Sequence, residues 1–264
     1  MRSYYQDEWV TIHHGDCREI LPQLPDKSVD LVLTDPPYFN QPSVPINTRP
    51  NKTKLDLRAG EWDNFLSDED YLGFIYDAID KFMRCLKDNA SIYLFTNDRY
   101  LSYIRHYLKR IGLQYASTIC WHKTNPAPRF IRKAMFISSV EFICFAYKGK
   151  PIFNFQDFSQ MHNFIETRLV QGKERLPHTT QKPVSLISHL ILVSSDNDSL
   201  ILDPFLGSGT TAYCAKKLNR KCIGIEIEER YAEIAAKRCS QMVLDLSSAS
   251  PSMGTDKTFR EAER

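Results

Sequence analysis

Two spacings of apolar residues alternate along this chain. Short runs rich in apolar and β-branched residues, at 10–14, 29–33, 91–95, 200–202 and 221–227, have strand length. Between them, apolar residues recur three or four apart, the spacing of one helix face. In 67–87 they are Leu72, Ile75, Ile79, Phe82 and Leu86, with Ser67 and Asp70 placed for a capping box. Helices are also expected at 17–24, ended by Pro25, and at 99–111, with Gly112 as cap. Three more are expected at 182–193, with Pro183 in the first turn, at 210–218 and at 230–243. Two further β-rich runs, 113–121 and 139–147, have no helix-length linker between them, so they are expected to pair as an antiparallel hairpin at one edge of the sheet. Segment 38–62 reads as a loop, and 247–264, small, polar and charged, as a flexible tail.

Strands alternating with helices imply an α/β fold with a mainly parallel sheet and helices on both faces. A single domain over 1–246 accounts for the pattern. Apolar residues make up 42% and charged residues 25%, the balance of a soluble globular chain. No apolar run approaches a membrane span and the first eight residues lack a signal-peptide core, so no membrane association is expected. The seven cysteines form no CxxC pair, which points to reduced thiols in a cytoplasmic setting and to no metal cluster. A net charge of +2 carries no information about nucleic acid; only local charge can.

In open parallel sheets, ligands sit beyond the carboxyl ends of the strands, so the residues there carry the candidate chemistry. After the strand at 200–202 comes Asp203-Pro204-Phe205-Leu206-Gly207-Ser208-Gly209-Thr210, opening a helix. Glycines here permit close approach to the backbone, and the helix start offers free N–H groups. Glu226 ends the next strand, 17 residues after Gly209, where a carboxylate can accept from both hydroxyls of a ribose. Gly207, Gly209 and Ala212 also satisfy a dinucleotide fingerprint, so an NAD-dependent enzyme fits this segment equally well. Asp16, at another strand end, reads either as an acceptor for an adenine amino group or as a plain helix N-cap.

The most informative stretch is Thr34-Asp35-Pro36-Pro37-Tyr38. An exocyclic amine on a base is a poor nucleophile because its lone pair is delocalised into the ring. Asp35 can accept one N–H of such an amine and the Pro36 carbonyl the other. With Pro36 and Pro37 holding both acceptors rigid, the lone pair localises on nitrogen. Tyr38 offers an aromatic face for the base, with Phe39 and Trp62 as further aromatic candidates whose alternative is ordinary packing. A duplex base must be swung out to reach such a pocket.

These residues together resemble the amino-group DNA methyltransferases. Asp35 to Tyr38 is similar to the family's DPPY catalytic motif, Phe205 to Gly209 to its FxGxG cofactor motif, and His178-Thr179-Thr180-Gln181-Lys182-Pro183 to the HxTQKP segment. Their order matches the β-class arrangement. The resemblance spans 9–243 and implies a Rossmann-like methyltransferase fold with a seven-stranded, mostly parallel sheet and an antiparallel last strand. It also implies that strands 200–202 and 29–33 lie side by side. S-adenosyl-L-methionine is the implied cofactor, held by Asp16, Cys17, Thr180, Lys182, Asp203, Phe205, Gly207, Gly209, Thr210, Glu226 and Ile227, with Lys182 paired to its carboxylate. Asp35 in the first catalytic position implies adenine-N6 as the target. Cytosine-N4 and RNA methylation are the alternatives, and the NAD reading leaves Asp35 to Tyr38 without a role.

Double-stranded DNA is the implied partner. Three basic runs lie outside the expected core: Lys52, Lys54 and Arg58; Lys123, Arg129, Arg132 and Lys133; Arg168, Lys173 and Arg175. They fit phosphate contacts. In this family the base-reading insertion lies between the last sheet strands and the cofactor motif, which here leaves 148–177. The resemblance also allows a homodimer and a cognate restriction endonuclease, on which the residues themselves are silent.

Overall fold

The computed structural model describes residues 2–39, 65–126, 136–159, 161–171 and 181–246. One nine-stranded sheet runs through it. Its strands are β1 (Tyr5–Gln6), β2 (Val10–His14), β3 (Val29–Thr34), β4 (Leu86–Thr96), β5 (Gln114–Lys123), β6 (Val140–Tyr147), β7 (Phe164–Thr167), β8 (Leu200–Asp203) and β9 (Lys221–Glu226). They lie in the order β1-β2-β9-β8-β3-β4-β6-β5-β7. From β2 to β4 all pairings are parallel, and β3 is paired to β8 through Leu31 with Ile201 and Val32 with Leu202. The side-by-side placement expected for these two strands is thus present. Strand order reverses between β8 and β3, so the carboxyl ends of these two strands flank the crevice where ligands bind in such sheets.

Strands β5 and β6 form the expected antiparallel hairpin, with Trp121 opposite Glu141, and β6 is inserted antiparallel against β4. The expected seven strands are β2 to β6, β8 and β9; β1 and β7 are additional, one at each edge. Two residues are too few for β1 to show a period. It forms because Asp7 Oδ1 accepts from the N–H groups of Trp9 (2.8 Å) and Val10 (2.7 Å), folding the chain back. Strand β7 lies in the insertion, where polar residues hide the alternation.

The helices are α1 (Cys17–Ile20), continued by a 3-10 turn, α2 (Asp68–Cys85), α3 (Asp98–Arg110), α4 (Val184–Ser194), α5 (Thr210–Lys217) and α6 (Glu229–Leu246). Ser67 caps α2 by accepting from Asp70 N at 3.1 Å. Pro183 is the N-cap of α4, one position ahead of its expected place. Helices α1, α2 and α3 pack on one face of the sheet, with Ile75, Phe82 and Ile104 in that core. Helices α4, α5 and α6 cover the other face with Leu186, Leu190, Ala212 and Ala235. No described helix is long and apolar enough to cross a membrane. The expected loop at 38–62, except for Tyr38 and Phe39, and the tail at 247–264 lie outside the described residues.

Candidate active site

The crevice is closed at its base by a side-chain bond. Thr34, the last residue of β3, donates from Oγ1 to Asp203 Oδ1 at the end of β8, at 2.7 Å. The same oxygen accepts from Phe205 N at 3.1 Å, which shapes the start of the glycine loop. Burial pushes the Asp203 carboxyl up to about 6. Asp35 follows Thr34 directly, so it lies just past this bond, within electrostatic reach of Asp203 at the start of the glycine loop.

Asp35 sits at the centre of a part-buried ionic network around the buried Lys182. Its Oδ2 accepts from Nζ of Lys182, which also lies 3.2 Å from Glu141 on β6. Glu141 in turn accepts from Lys123 of β5 at 3.2 Å, and the Tyr38 hydroxyl lies 3.5 Å from its other oxygen. Nζ of Lys182 is 5.1 to 5.8 Å from the ring centres of Phe95, Tyr38 and Trp121, which places an aromatic wall around the cation. The remaining Asp35 oxygen, Oδ1, is buried and accepts no hydrogen bond of normal length among the described residues, although the Tyr38 hydroxyl is close enough to Asp35 to pull its carboxyl down. Burial pushes the Asp35 carboxyl up; Lys182 pulls it down and Glu141 pushes it up again, leaving it raised. Glu141 is also pushed up by burial, but Lys182 and Lys123 outweigh this and hold it low. Lys182 stays cationic because its two carboxylates outweigh its burial.

At the other side of the crevice, Gly209 has φ +80° and forms the N-cap of α5. A Cβ placed there would lie 2.7 Å from Cβ of Ala235 on α6, so only glycine fits this crossing. Glu226 is buried at the end of β9 and accepts from Gly207 N (2.7 Å) and Glu228 N (2.9 Å); burial pushes its carboxyl up to about 7. Ile227, next to it, is exposed. Phe205 packs at 5.8 Å on Phe74, whose ring lies 5.0 Å below the Arg18 guanidinium.

Several expected residues behave differently. Asp16 caps α1, accepting from Arg18 N at 2.8 Å, and its second oxygen holds the Arg18 guanidinium at 2.6 Å, which keeps the carboxyl below its usual range. The helix-cap reading of Asp16 is therefore realised. Cys17 is buried, and burial pushes its thiol up to about 12. Thr210 is buried, its hydroxyl accepting from Arg238 at 3.0 Å. Lys182, expected to pair with the cofactor's carboxylate, is bonded to Asp35 and lies 3.2 Å from Glu141, among the rings of Phe95, Tyr38 and Trp121. Lys123, expected to reach phosphate, is turned inward onto Glu141. Phe39 is packed against Phe65 and Tyr71, the ordinary reading for that ring. Arg168 is exposed just after β7. Lys52, Lys54, Arg58, Trp62, Arg129, Arg132, Lys133, Lys173, Arg175, His178 and Thr180 lie outside the described residues. The residue missed from sequence is Glu141. Its signal is a lone acid in an otherwise apolar strand, which a buried partner cation must compensate.

Comparison with known proteins places this geometry. The family model described as DNA methylase, of the N6/N4 type, matches residues 29–237. The type II methyltransferase M.HinfI of Haemophilus influenzae is 33% identical over 258 residues, covering 92% of this chain and 71% of the relative. The type II methyltransferase M2.MboI of Moraxella bovis is 31% identical over 251 residues, covering 90% and 91%. The crystal structure of the M1.HpyAVI-SAM complex superposes with a TM-score of 0.65 at 28% identity, over 87% of this chain and 98% of that one. With the family model matching most of the fold and curated relatives at 31 to 33% identity, the NAD reading falls away and the chain belongs to the N6/N4 DNA methylase family.

Proposed function

We propose that the chain methylates the N6 amine of an adenine swung out of duplex DNA, with S-adenosyl-L-methionine as donor. The observation that carries this reading is Asp35 Oδ1: a buried carboxylate oxygen accepting no hydrogen bond of normal length among the described residues, one residue past the Thr34–Asp203 bond. Such an oxygen is costly unless a donor reaches it, and an exocyclic N–H is a donor of the right kind. Asp35 Oδ1 accepts one N–H and the Pro36 carbonyl the other, while Tyr38 stacks on the base and replaces part of the stacking lost on flipping. The alternatives, cytosine-N4 and RNA methylation, use the same clamp.

When bound, the donor supplies a methyl already activated by its sulfonium, so the chain has only to align and to place charge. Gly207, Gly209 and Phe205 suit its approach along the start of α5, while the need for glycine at 209 comes from Ala235 of α6. Glu226 suits the ribose hydroxyls, Ile227 the purine face, and Asp16 the adenine amino group. Asp16 can serve while holding Arg18, because each carboxylate oxygen accepts more than one hydrogen bond. Arg168 and the basic runs in 51–58, 129–133 and 173–175 suit DNA phosphates, and 148–177 suits base reading. The names of the relatives, type II methyltransferases, support a role in DNA modification; a homodimer, a cognate restriction endonuclease and a cytoplasmic setting belong to the same reading.

The test is Asp35→Ala. It should lower methyl transfer to unmodified plasmid DNA by at least about 10²-fold while calorimetric binding of S-adenosylhomocysteine changes little. Transfer within about tenfold of the parent refutes the clamp. Methylation-aware sequencing of DNA from a host expressing the chain reports N6-methyladenine if the adenine reading holds and N4-methylcytosine if it does not.

A further inference from the structure

We infer that Glu141 is a positioning residue for methyl transfer: by holding the Lys182 ammonium, it leaves Asp35 free to take the proton released by the methylated amine. The inference rests on the reading of Asp35 as acceptor given above.

The step sets the requirement. The amine nitrogen gives its lone pair to the methyl carbon as the sulfur keeps the pair of the breaking C–S bond. The nitrogen then carries one proton too many, which passes to Asp35 Oδ1 and from there to water. Asp35 has to start as a carboxylate and end, briefly, as a neutral acid. Its Oδ2 is bound to a lysine that is 7% exposed. If Asp35 were the only partner, protonating it would strand a buried ammonium without a counter-charge, and unpaired buried charge is strongly disfavoured. The lysine would then oppose the proton transfer. Glu141 removes this opposition: at 3.2 Å from Nζ, it compensates Lys182 whichever state Asp35 is in. Lys123 at 3.2 Å and the Tyr38 hydroxyl at 3.5 Å keep the Glu141 carboxylate charged and in place. The titratable groups facing Asp35 among the described residues are Tyr38 from its own turn, Asp203 from β8, Lys182 ahead of α4 and Glu141 from β6, with Lys123 of β5 behind Glu141. Of these, Glu141 is the carboxylate that shares the lysine with Asp35.

The experiment is a double-mutant cycle with a titration beside it. Single-turnover transfer to unmodified plasmid DNA is measured at saturating donor for the parent, Glu141→Gln, Lys182→Met and the double variant, all checked for folding by thermal melt. Glu141→Gln should slow transfer about tenfold or more, and in the Lys182→Met background the same change should alter the rate by less than about twofold, because Glu141 acts through the lysine. Equal losses in both backgrounds, or no loss in the first, overturn the inference. Independently of activity, the Asp35 carboxyl carbon, followed by NMR, should titrate at lower pH in Glu141→Gln than in the parent. An unmoved titration overturns it as well. Should Glu141→Gln fail to fold, Glu141→Asp, which keeps the charge, should stay within about threefold of the parent rate; a loss of tenfold or more counts against the proposal. Failure of the underlying acceptor reading appears separately, as transfer retained by Asp35→Ala whatever Glu141 does.

Discussion

Substituting Gly209 by alanine tests the steric account of the glycine loop most directly. At φ +80° the residue occupies a left-handed conformation that a side chain disfavours by about 1–2 kcal/mol. The added Cβ meets Ala235 at 2.7 Å from Cβ and 2.9 Å from Cα. The second contact is backbone on a helix, so α5 and α6 must separate, and overpacking of this kind costs about 1–3 kcal/mol. The expected loss is therefore about 2–5 kcal/mol, read as a lower midpoint in urea unfolding at 25 °C with unchanged slope. Shifting α6 also moves the loop, so S-adenosylhomocysteine should bind more weakly by calorimetry. The companion Ala235→Gly removes the nearer contact and by itself costs about 1 kcal/mol of helix propensity. The double variant should be less destabilised than the sum of the two singles. A loss under about 1 kcal/mol for Gly209→Ala, or additivity within about 0.5 kcal/mol, refutes the steric argument.

Two further outcomes follow from the crevice. Thr34→Val keeps the shape of the β3 end but removes the hydroxyl from buried Asp203, and should cost about 1–3 kcal/mol in a thermal melt, with Thr34→Ser recovering most of it; equal losses for both would show that the 2.7 Å bond is not the cause. Glu226 has a folded value of about 7 against an ordinary 4.5, so the folded state binds more protons between these pH values and stability falls as pH rises through that window. Relative to the parent, Glu226→Gln should gain on the order of 2–3 kcal/mol from pH 4.5 to 7.5 in paired urea titrations, and a difference independent of pH would show that the carboxyl is not held neutral by burial.

Much of this protein was legible in its sequence because the informative signals are local. Periodicity placed the helices and most strands to within a few residues, and strand ends named Asp35, Asp203 and Glu226, since in a parallel sheet the residue after an apolar run is where ligands are met. The glycine at 209 was legible as room for a ligand to approach the backbone, though not as the left-handed turn and the crossing of α6 that also require it. What the sequence could not carry are relations between residues far apart in the chain. Glu141 and Lys182 are 41 positions apart; alone, Glu141 drew no reading and Lys182 read as the partner of the cofactor's carboxylate. Only the insertion of β6 between β4 and β5 brings Glu141 over the end of β3, where low polarity makes its pairing with Lys182 obligatory. Lys123 was misread for the same reason: a basic run reports charge, and only the tertiary fold decides whether that charge faces solvent or a buried carboxylate.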